Sequence, residues 1–290
     1  MELFRALAAL AERPARELAP VADALLIGPL PEADAYTELF NFQLAPYASI
    51  YLGAEGMIGG EARQLIAGFW RALGQSPPPE PDHLALMLAL YARLRELEDE
   101  ESEPVRLEGL KRARLAFLWE HLLSWLPVYL CKLESIAPPF YKKWGEVLTE
   151  ALIAAALAAG EPSQLPLHLR EARALSDPRA GGEVEEFLQS LLSPARSGMI
   201  LVRADLTRAA RKLGLGLRLG ERLFILKALF GQDPQAMLDW LAAEAQVWIA
   251  RHKLKRESLG IVAAFWEERA AATLSLLEQL KQDARESTTS

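Results

Sequence analysis

The chain has 290 residues, of which 51% are hydrophobic and 24% are charged. This length allows one large domain or two medium ones. The single cysteine, Cys131, excludes an internal disulfide and a thiolate zinc site. No apolar run approaches the roughly 20 residues that span a bilayer.

The net charge of −7 is unevenly distributed. Residues 183–290 contain 15 Lys/Arg and 14 Asp/Glu, which leaves 17 and 25 of the totals of 32 and 39 for residues 1–182. The first part is therefore near −8 and the second near +1. An acidic N-terminal part repels phosphate backbones and attracts cationic peptides, so it favours a basic protein partner over a nucleic acid.

Apolar residues recur at intervals of three and four through most of the chain, which predicts an all-α fold. Strict alternation, the pattern of a strand, is almost absent. Long helices are predicted over 2–17, 32–42, 61–73, 81–98, 105–125 and 139–159. Further helices are predicted near Glu183, Asp205, Glu221, Pro234 and Ser258.

A cluster of turn-forming residues at 176–182 separates two helical patterns and marks the predicted domain boundary. We expect a helical domain over 1–180 and an accessory helical domain over 181–290. The N-terminal residues lack the basic start and the cleavage site of a secretory signal, so we expect a cytoplasmic protein.

The segment Pro81-Asp82-His83-Leu84 places an acid and a histidine at a predicted helix start. Unsatisfied backbone N–H groups there favour a carboxylate and disfavour a protonated imidazole, which predicts a neutral His83 beside a fixed acid. Two interpretations stay open. The pair either binds a peptide at the proline-rich loop before it or is an ordinary helix start, where acids are common.

Phe117, His121 and Trp125 recur every four residues and predict one apolar face of a helix with a single polar member. His121 on such a face is either a ligand-binding group or a core histidine with one or two hydrogen-bond partners. Enzyme functions are disfavoured. The chain has neither a nucleophile-elbow motif nor a glycine-rich phosphate loop, and its four histidines are far apart in sequence.

Three segments together resemble the TorD/DmsD/NarJ family of cytoplasmic molybdoenzyme maturation chaperones. They are the tyrosine-bearing turn at 46–51 that follows Thr37-Glu38-Leu39-Phe40, the Pro81-Asp82-His83-Leu84 start, and the stretch from Phe117 to Trp125. Their order and approximate spacing match the family over residues 36–159.

The resemblance implies an all-helical chaperone, not an enzyme, with a TorD-like bundle and an additional C-terminal domain. It would bind the twin-arginine signal peptide or the apo-form of a molybdopterin-dependent reductase or dehydrogenase subunit and assist its maturation before export. A twin-arginine signal combines two guanidinium groups with an apolar stretch, so it needs carboxylates beside an apolar groove. The client-binding residues that the resemblance implies are Tyr47, Tyr51, Trp70, Glu80, Pro81, Asp82, His83 and His121.

Residues beyond 182 extend past the family resemblance. The segment 205–230, with glycines between two amphipathic stretches, predicts a DNA-binding helix-turn-helix as the alternative function, although its near-neutral surroundings disfavour DNA. We expect no metal, no resident cofactor and no stable nucleic acid partner. A transient contact with the client's molybdopterin or with a guanine nucleotide, and a homodimer swapped through 176–182, stay open.

Overall fold

The computed structural model describes residues 2–54, 56–181 and 183–289 and is all-α within them, as predicted. The sole β-type pairing among these residues is an isolated antiparallel bridge between Tyr47 and His83. None of the described helices combines the length and apolar content that a membrane span requires. The chain divides into two compact units, which comprise the described residues of 1–49 with 57–170 and of 50–56 with 171–290.

The first unit contains helices α1 to α10, except that the last three residues of α4 belong to the second unit. Two of these helices, α3 and α7, continue directly into wider π-helical segments, π1 and π2. The elements are α1 Glu2–Leu10, α2 Ala19–Ala24, α3 Ala33–Tyr36, π1 Thr37–Gln43, α4 Ala48–Leu52, α5 Gly60–Ala72, α6 Leu84–Glu100, α7 Pro104–Ala116, π2 Phe117–Leu123, α8 Leu126–Ile136, α9 Pro139–Ala159 and α10 Leu167–Arg170.

Buried aromatic side chains with hydrogen-bonded polar atoms join the helices of the first unit. The Trp144 indole of α9 donates to the Leu7 carbonyl of α1 at 3.0 Å. The Tyr129 hydroxyl of α8 donates to the Leu44 carbonyl at 3.2 Å. Both rings are fully buried, so these bonds satisfy polar groups that would otherwise be costly to desolvate.

Two helix boundaries differ from the sequence prediction, both beside prolines. Helix α1 ends at Leu10 instead of residue 17, because Pro14 supplies no backbone N–H and disfavours helical backbone before it. Helix α6 begins at Leu84 instead of residue 81, and His83 is its N-cap. The Pro81 to His83 segment is therefore a turn before the helix.

The predicted helix over 105–125 is also different in detail. Its first part is α7, but residues Phe117–Leu123 form the π-helix π2, which ends in a turn before α8. All the residues of π2 except Glu120 are buried. A π-helix is wider than an α-helix and is intrinsically unfavourable, so the packing of this apolar segment stabilises it.

The second unit contains two long helices, α15 and α16, that pack along each other, with four shorter helices beside them. Its helices are α11 Val184–Leu191, α12 Pro194–Ser197, α13 Arg203–Leu213, α14 Arg222–Phe230, α15 Pro234–Lys253 and α16 Arg256–Thr289. Helix α16 is interrupted at Gly260, whose backbone is non-helical. Residues 50–56 also belong to this unit.

Two buried contacts fix the short helix α12 against the long pair. Gly198 ends α12 with a φ of 73°, and its carbonyl accepts a hydrogen bond from Nε2 of His252 on α15 at 2.9 Å. The Thr273 hydroxyl of α16 donates to the Ser197 carbonyl at 2.8 Å. A Cβ atom on Gly198 would lie 2.3 Å from the backbone nitrogen of Ala270.

Arginine side chains hold the segment after residue 170 onto the second unit. Arg196 donates to the Ala174 carbonyl at 3.0 Å, and Arg269 donates to the Ala172 carbonyl at 2.6 Å. Residues 171–174 therefore already belong to the second unit, although they precede the turn-forming cluster at the predicted boundary. Gly182, which is part of that cluster, lies outside the described residues. The assignment of separate functional roles to 1–180 and 181–290 stays a prediction.

Helices α13 and α14 lie where the sequence suggests a helix-turn-helix. Residues 214–221 join them, a connection longer than the three- or four-residue turn of that motif. The Gln232 side chain bridges this connection, since it accepts from the Gly216 N–H at 2.7 Å and donates to the Gly216 carbonyl at 2.9 Å. The geometry is not that of a DNA-binding helix-turn-helix.

Candidate functional site

The turn at 46–49 pairs with the turn before α6 through their backbones. The Ala48 N–H donates to the Asp82 carbonyl at 3.0 Å, and the Leu84 N–H donates to the Pro46 carbonyl at 2.8 Å. Tyr47 and His83 are the bridge partners, and their rings meet edge to face at 5.0 Å. Two of the three sequence motifs are thus brought together.

Asp82 lies beneath this pairing and is 1% exposed. Its Oδ2 accepts from the Ser49 hydroxyl at 2.5 Å, and the Ser49 oxygen in turn accepts from the Gly59 N–H at 3.0 Å. The Nε atom of Arg63, on α5, lies 3.9 Å from Oδ1 of Asp82. A buried carboxylate with these partners positions the turns around it, because leaving it unpaired would be costly.

His83 caps α6 through its side chain. Its Nδ1 accepts from the Ala85 N–H at 3.3 Å, which requires Nδ1 to be unprotonated. Burial lowers the pKa of His83, against the opposing influence of Glu12, Glu80 and Asp82. The folded protein therefore favours a neutral imidazole, as the sequence predicts, but the imidazole acts as the cap instead of lying inside the first turn.

Two exposed carboxylates lie at the rim of the Tyr47–His83 pair. The Tyr47 hydroxyl donates to Oε2 of Glu80 at 3.1 Å, and Oε1 of Glu12 lies 3.9 Å from Nδ1 of His83. Partial burial, with the neighbouring Glu80 carboxylate, raises the pKa of Tyr47 to about 12. The phenol therefore stays a neutral donor throughout the physiological range. Pro81 is buried behind this rim.

Helix α5 carries Trp70 as well as Arg63, two turns apart on the same side of the helix. Trp70 is half-buried. Arg63 also donates to the Pro79 carbonyl, so α5 holds the proline-rich loop next to the Tyr47–His83 pair. Trp70 therefore lies on a helix that contributes to the site.

Tyr51, four residues after Tyr47, belongs to the second unit and is 2% exposed. Burial raises the pKa of its phenol, and Arg222 of the same unit opposes that shift. A side chain that is already buried within the second unit has little surface to offer a peptide at Tyr47 and His83.

His121, in π2, forms a second histidine site with His168 of α10. Its Nδ1 lies 3.3 Å from Nε2 of His168, and the ring of Phe69 packs at 5.4 Å. Burial, with the neighbouring His168, lowers the pKa of His121 to about 3, and burial lowers that of His168 to about 4. Both rings are neutral and one donates to the other. His121 therefore has a buried hydrogen-bond partner, as expected of a core histidine and not of a ligand-binding group.

No group of three or more His, Cys, Asp or Glu residues in the described part of the chain is placed to hold a metal ion. The surroundings of the Tyr47–His83 pair include residues that the sequence did not single out as site residues, namely Glu12, Tyr36, Ser49 and Arg63. Burial raises the pKa of Tyr36, and Glu12 and Glu80 raise it further against the opposing influence of Arg13. The acidic balance of residues 1–182 is the one sequence signal that pointed to acidic surroundings, but not to these positions.

Comparisons with known proteins agree with the motifs. Residues 5–130 match the nitrate reductase delta subunit family. The Chaperone protein TorD of Vibrio vulnificus is 32% identical over 100 residues, 33% of this chain and 46% of that protein. The Photobacterium profundum protein of the same name is 31% identical over 88 residues, 29% of this chain and 41% of its own length.

The chain thus spans about half the length of the curated relatives it matches, or less. No solved structure matches it significantly. The matched range contains Glu12, Tyr47, the Pro81 to His83 turn and His121, and it ends within α8. Over residues 5–130, less than half of the chain, the sequence is therefore similar to the nitrate reductase delta subunit family, in agreement with the resemblance that its three motifs indicate.

Proposed function

We propose that the chain is a maturation chaperone that binds the twin-arginine signal peptide, or the apo-form, of a molybdopterin-dependent oxidoreductase subunit. Two observations support the client class, the family match and the relatives named Chaperone protein TorD. The geometric observation that carries the binding site is a pair of exposed, unneutralised carboxylates, Glu12 and Glu80, around the Tyr47–His83 pair.

Charge pairing distinguishes these two acids from Glu96 and Glu98 in the densest acidic run. Among the described residues, no Lys or Arg forms an ion pair with Glu12 or Glu80. The densest acidic run, 96–103, is different, since Glu96 pairs with Arg93 and Glu98 pairs with Arg114. A cationic peptide gains more at carboxylates that have no internal cation, so the rim of the Tyr47–His83 pair suits such a peptide better than Glu96 or Glu98 does.

Aromatic rings lie beside these carboxylates. Tyr47 is half-buried and lies against His83, and Tyr36 shares the electrostatic field of Glu12 and Glu80. Guanidinium groups pack on aromatic faces while they donate to carboxylates, which suits a peptide with paired arginines better than one with lysines. The site therefore combines the two recognition elements that an arginine-rich signal requires.

Asp82 has a positioning role in this proposal. Its carboxylate is buried and already accepts from Ser49, so it orients the two turns and does not reach the peptide. His83 forms part of the floor as a neutral imidazole that caps α6. Pro81 follows Glu80 in the same turn, and Trp70 lies on α5, which contacts the proline-rich loop through Arg63. Tyr51 and His121 contribute to the packing of their surroundings instead of the peptide site.

Binding by purified full-length protein tests this proposal directly. The titrant in calorimetry is a peptide with an Arg-Arg pair followed by an apolar stretch, and the control peptide has Ala-Ala in place of the arginines. We expect micromolar affinity that depends on the arginines. Glu12→Gln and Glu80→Gln should each weaken binding about tenfold, which corresponds to ~1.4 kcal/mol.

Glu146→Gln is the matched control, because Glu146 is a partly exposed acid on α9 that pairs with Lys143. It should leave the affinity unchanged, and the rim variants should retain their wild-type unfolding midpoint. Equal losses in the control and in the two rim variants would show that only net charge matters and would reject the site. Absence of arginine-dependent binding to any such signal would reject the function.

A further inference from the structure

The second unit contains an open groove between helix α14 and the connection that precedes it. The groove, which we call the α14 groove, has a volume of about 690 Å³. Gly216, Ala228 and Gly231 line it without bulk, and Leu217 and Phe224 line it with apolar surface. Ligand-binding clefts in proteins have volumes of roughly 300–1,000 Å³. The α14 groove is therefore large enough to hold side chains of a bound partner.

Large apolar side chains are exposed at this groove. Phe224 is 48% exposed, and Leu219 on the connection is 92% exposed. A Cβ atom on Gly220 would lie 2.8 Å from Cδ1 of Phe224, so the phenyl ring packs against the residue next to Leu219. Single exposed apolar residues are common on protein surfaces, but a contiguous group of them marks an interaction site.

Hydrogen bonds hold the connection in place without a partner. The Gln232 side chain, which bonds both backbone groups of Gly216, also donates to the Ala228 carbonyl at 2.9 Å. The Leu215 N–H donates to the Ala210 carbonyl at 2.9 Å and so fixes the start of the connection to α13. A partner therefore binds a preformed surface, which lowers the entropic cost of association.

Positive charge is concentrated around the groove. Residues 211–232 contain five Lys/Arg and one acid, a net charge of +4, whereas residues 183–290 as a whole are near +1. Lys227 is neutralised by Glu185, whose Oε2 lies 2.5 Å from its Nζ. Arg218 lines the groove, is exposed and forms no ion pair with any residue that the structure describes. An unneutralised guanidinium beside apolar surface is complementary to carboxylates that accompany large apolar side chains.

We propose that the α14 groove binds an acidic, amphipathic segment of a partner protein. A large apolar side chain of that segment packs against Leu219 and Phe224, and a neighbouring carboxylate pairs with Arg218. The exposed leucine favours a protein over a nucleic acid, which binds through cations and aromatic stacking and gains little from an aliphatic side chain. The inference does not rest on the proposed peptide site, because its residues lie in the second unit and beyond the matched range 5–130.

Fluorescence anisotropy with full-length protein tests this inference. The probe is a labelled peptide with leucines at three- and four-residue spacing and glutamates between them. One control peptide has serines in place of the leucines, and the other has glutamines in place of the glutamates. Wild-type protein should bind the probe about tenfold more tightly than either control, because each control lacks one of the two complementary features.

Two variants locate the binding, and each has a matched control in the same unit. Arg218→Gln and Leu219→Ser should each weaken binding of the probe about fivefold. Lys253→Gln and Leu254→Ser remove another exposed cation and another exposed leucine, at the end of α15, and should leave the affinity unchanged. Because Leu219 is almost fully exposed, its variant should unfold at the wild-type denaturant midpoint, which verifies that lost binding is not lost folding.

Four results would overturn the inference. The first is failure of wild-type protein to bind the probe more tightly than the controls, and the second is equal weakening by the α14-groove variants and the α15 variants. The third is tighter binding of a single-stranded oligonucleotide, weakened by Arg218→Gln but not by Leu219→Ser, which would assign the groove to nucleic acid. The fourth is a dimer in sedimentation that Leu219→Ser dissociates, which would assign the groove to a second copy. Each leaves arginine-dependent binding at Glu12 and Glu80 to be judged by its own titration.

Discussion

Gly198→Ala should destabilise the second unit far more than a comparable change at another helix end. Gly198 and Gly214 both end helices with left-handed backbone, at φ values of 73° and 68°. Alanine in that conformation costs about 1–2 kcal/mol at either position. The two sites differ in space. A Cβ at Gly198 would lie 2.3 Å from the Ala270 nitrogen, whereas a Cβ at Gly214 meets nothing within 4 Å.

The overlap at Gly198 involves the backbone of α16, which cannot rotate away as a side chain could. Overpacking of a buried site costs about 1–3 kcal/mol, so Gly198→Ala should lose about 2–5 kcal/mol in total and Gly214→Ala about 1–2 kcal/mol. Urea unfolding followed by tryptophan fluorescence measures both losses, because Trp248 and Trp266 are fully buried in the second unit. Equal losses for the two variants would refute the steric argument.

Three further predictions concern stability. Burial lowers the pKa of His252 to about 4, so below pH 6.5 the unfolded chain binds more protons than the folded protein. Stability should therefore fall from pH 6.5 towards pH 4, by about 2 kcal/mol for this residue at pH 5. His252→Gln should remove that share of the pH dependence in urea unfolding, while His121 and His168 keep theirs. His83→Ala should cost about 1 kcal/mol because it removes the cap on the Ala85 N–H, and His83→Asn should restore most of this in thermal unfolding. Tyr129→Phe should cost about 1 kcal/mol through the lost bond to a buried carbonyl, and an unchanged denaturation midpoint would contradict the packing described for that ring.

The fold class could be predicted from the sequence because three- and four-residue periodicity depends on local geometry. The π-helix Phe117–Leu123 could not be predicted, since the same apolar spacing suits an α-helix and only tertiary packing selects the wider form. The start of α6 was predicted three residues too early. Proline is tolerated in a first helical turn, but here the backbone of Asp82 pairs with Ala48 instead.

The candidate site was predicted only where its residues are close together in sequence. Pro81, Asp82 and His83 form a local motif that can be recognised in sequence, and Tyr47 follows from its place in the neighbouring turn. Glu12 comes from the end of α1 and reaches His83 only through folding. Tyr51, four residues after Tyr47, lies in the other unit because the chain crosses between the units after Ser49.

The crossing at residues 50–56 has a consequence for synthesis from the N-terminus. The ribosome releases Tyr51 and Leu52, both buried residues of the second unit, long before it releases the rest of that unit. These apolar side chains must stay uncovered while more than a hundred residues are added, from Met57 to Arg170 and into the second unit. A fragment of residues 1–180 would lack most of the second unit and would leave these side chains uncovered permanently. Binding studies should therefore use the full chain.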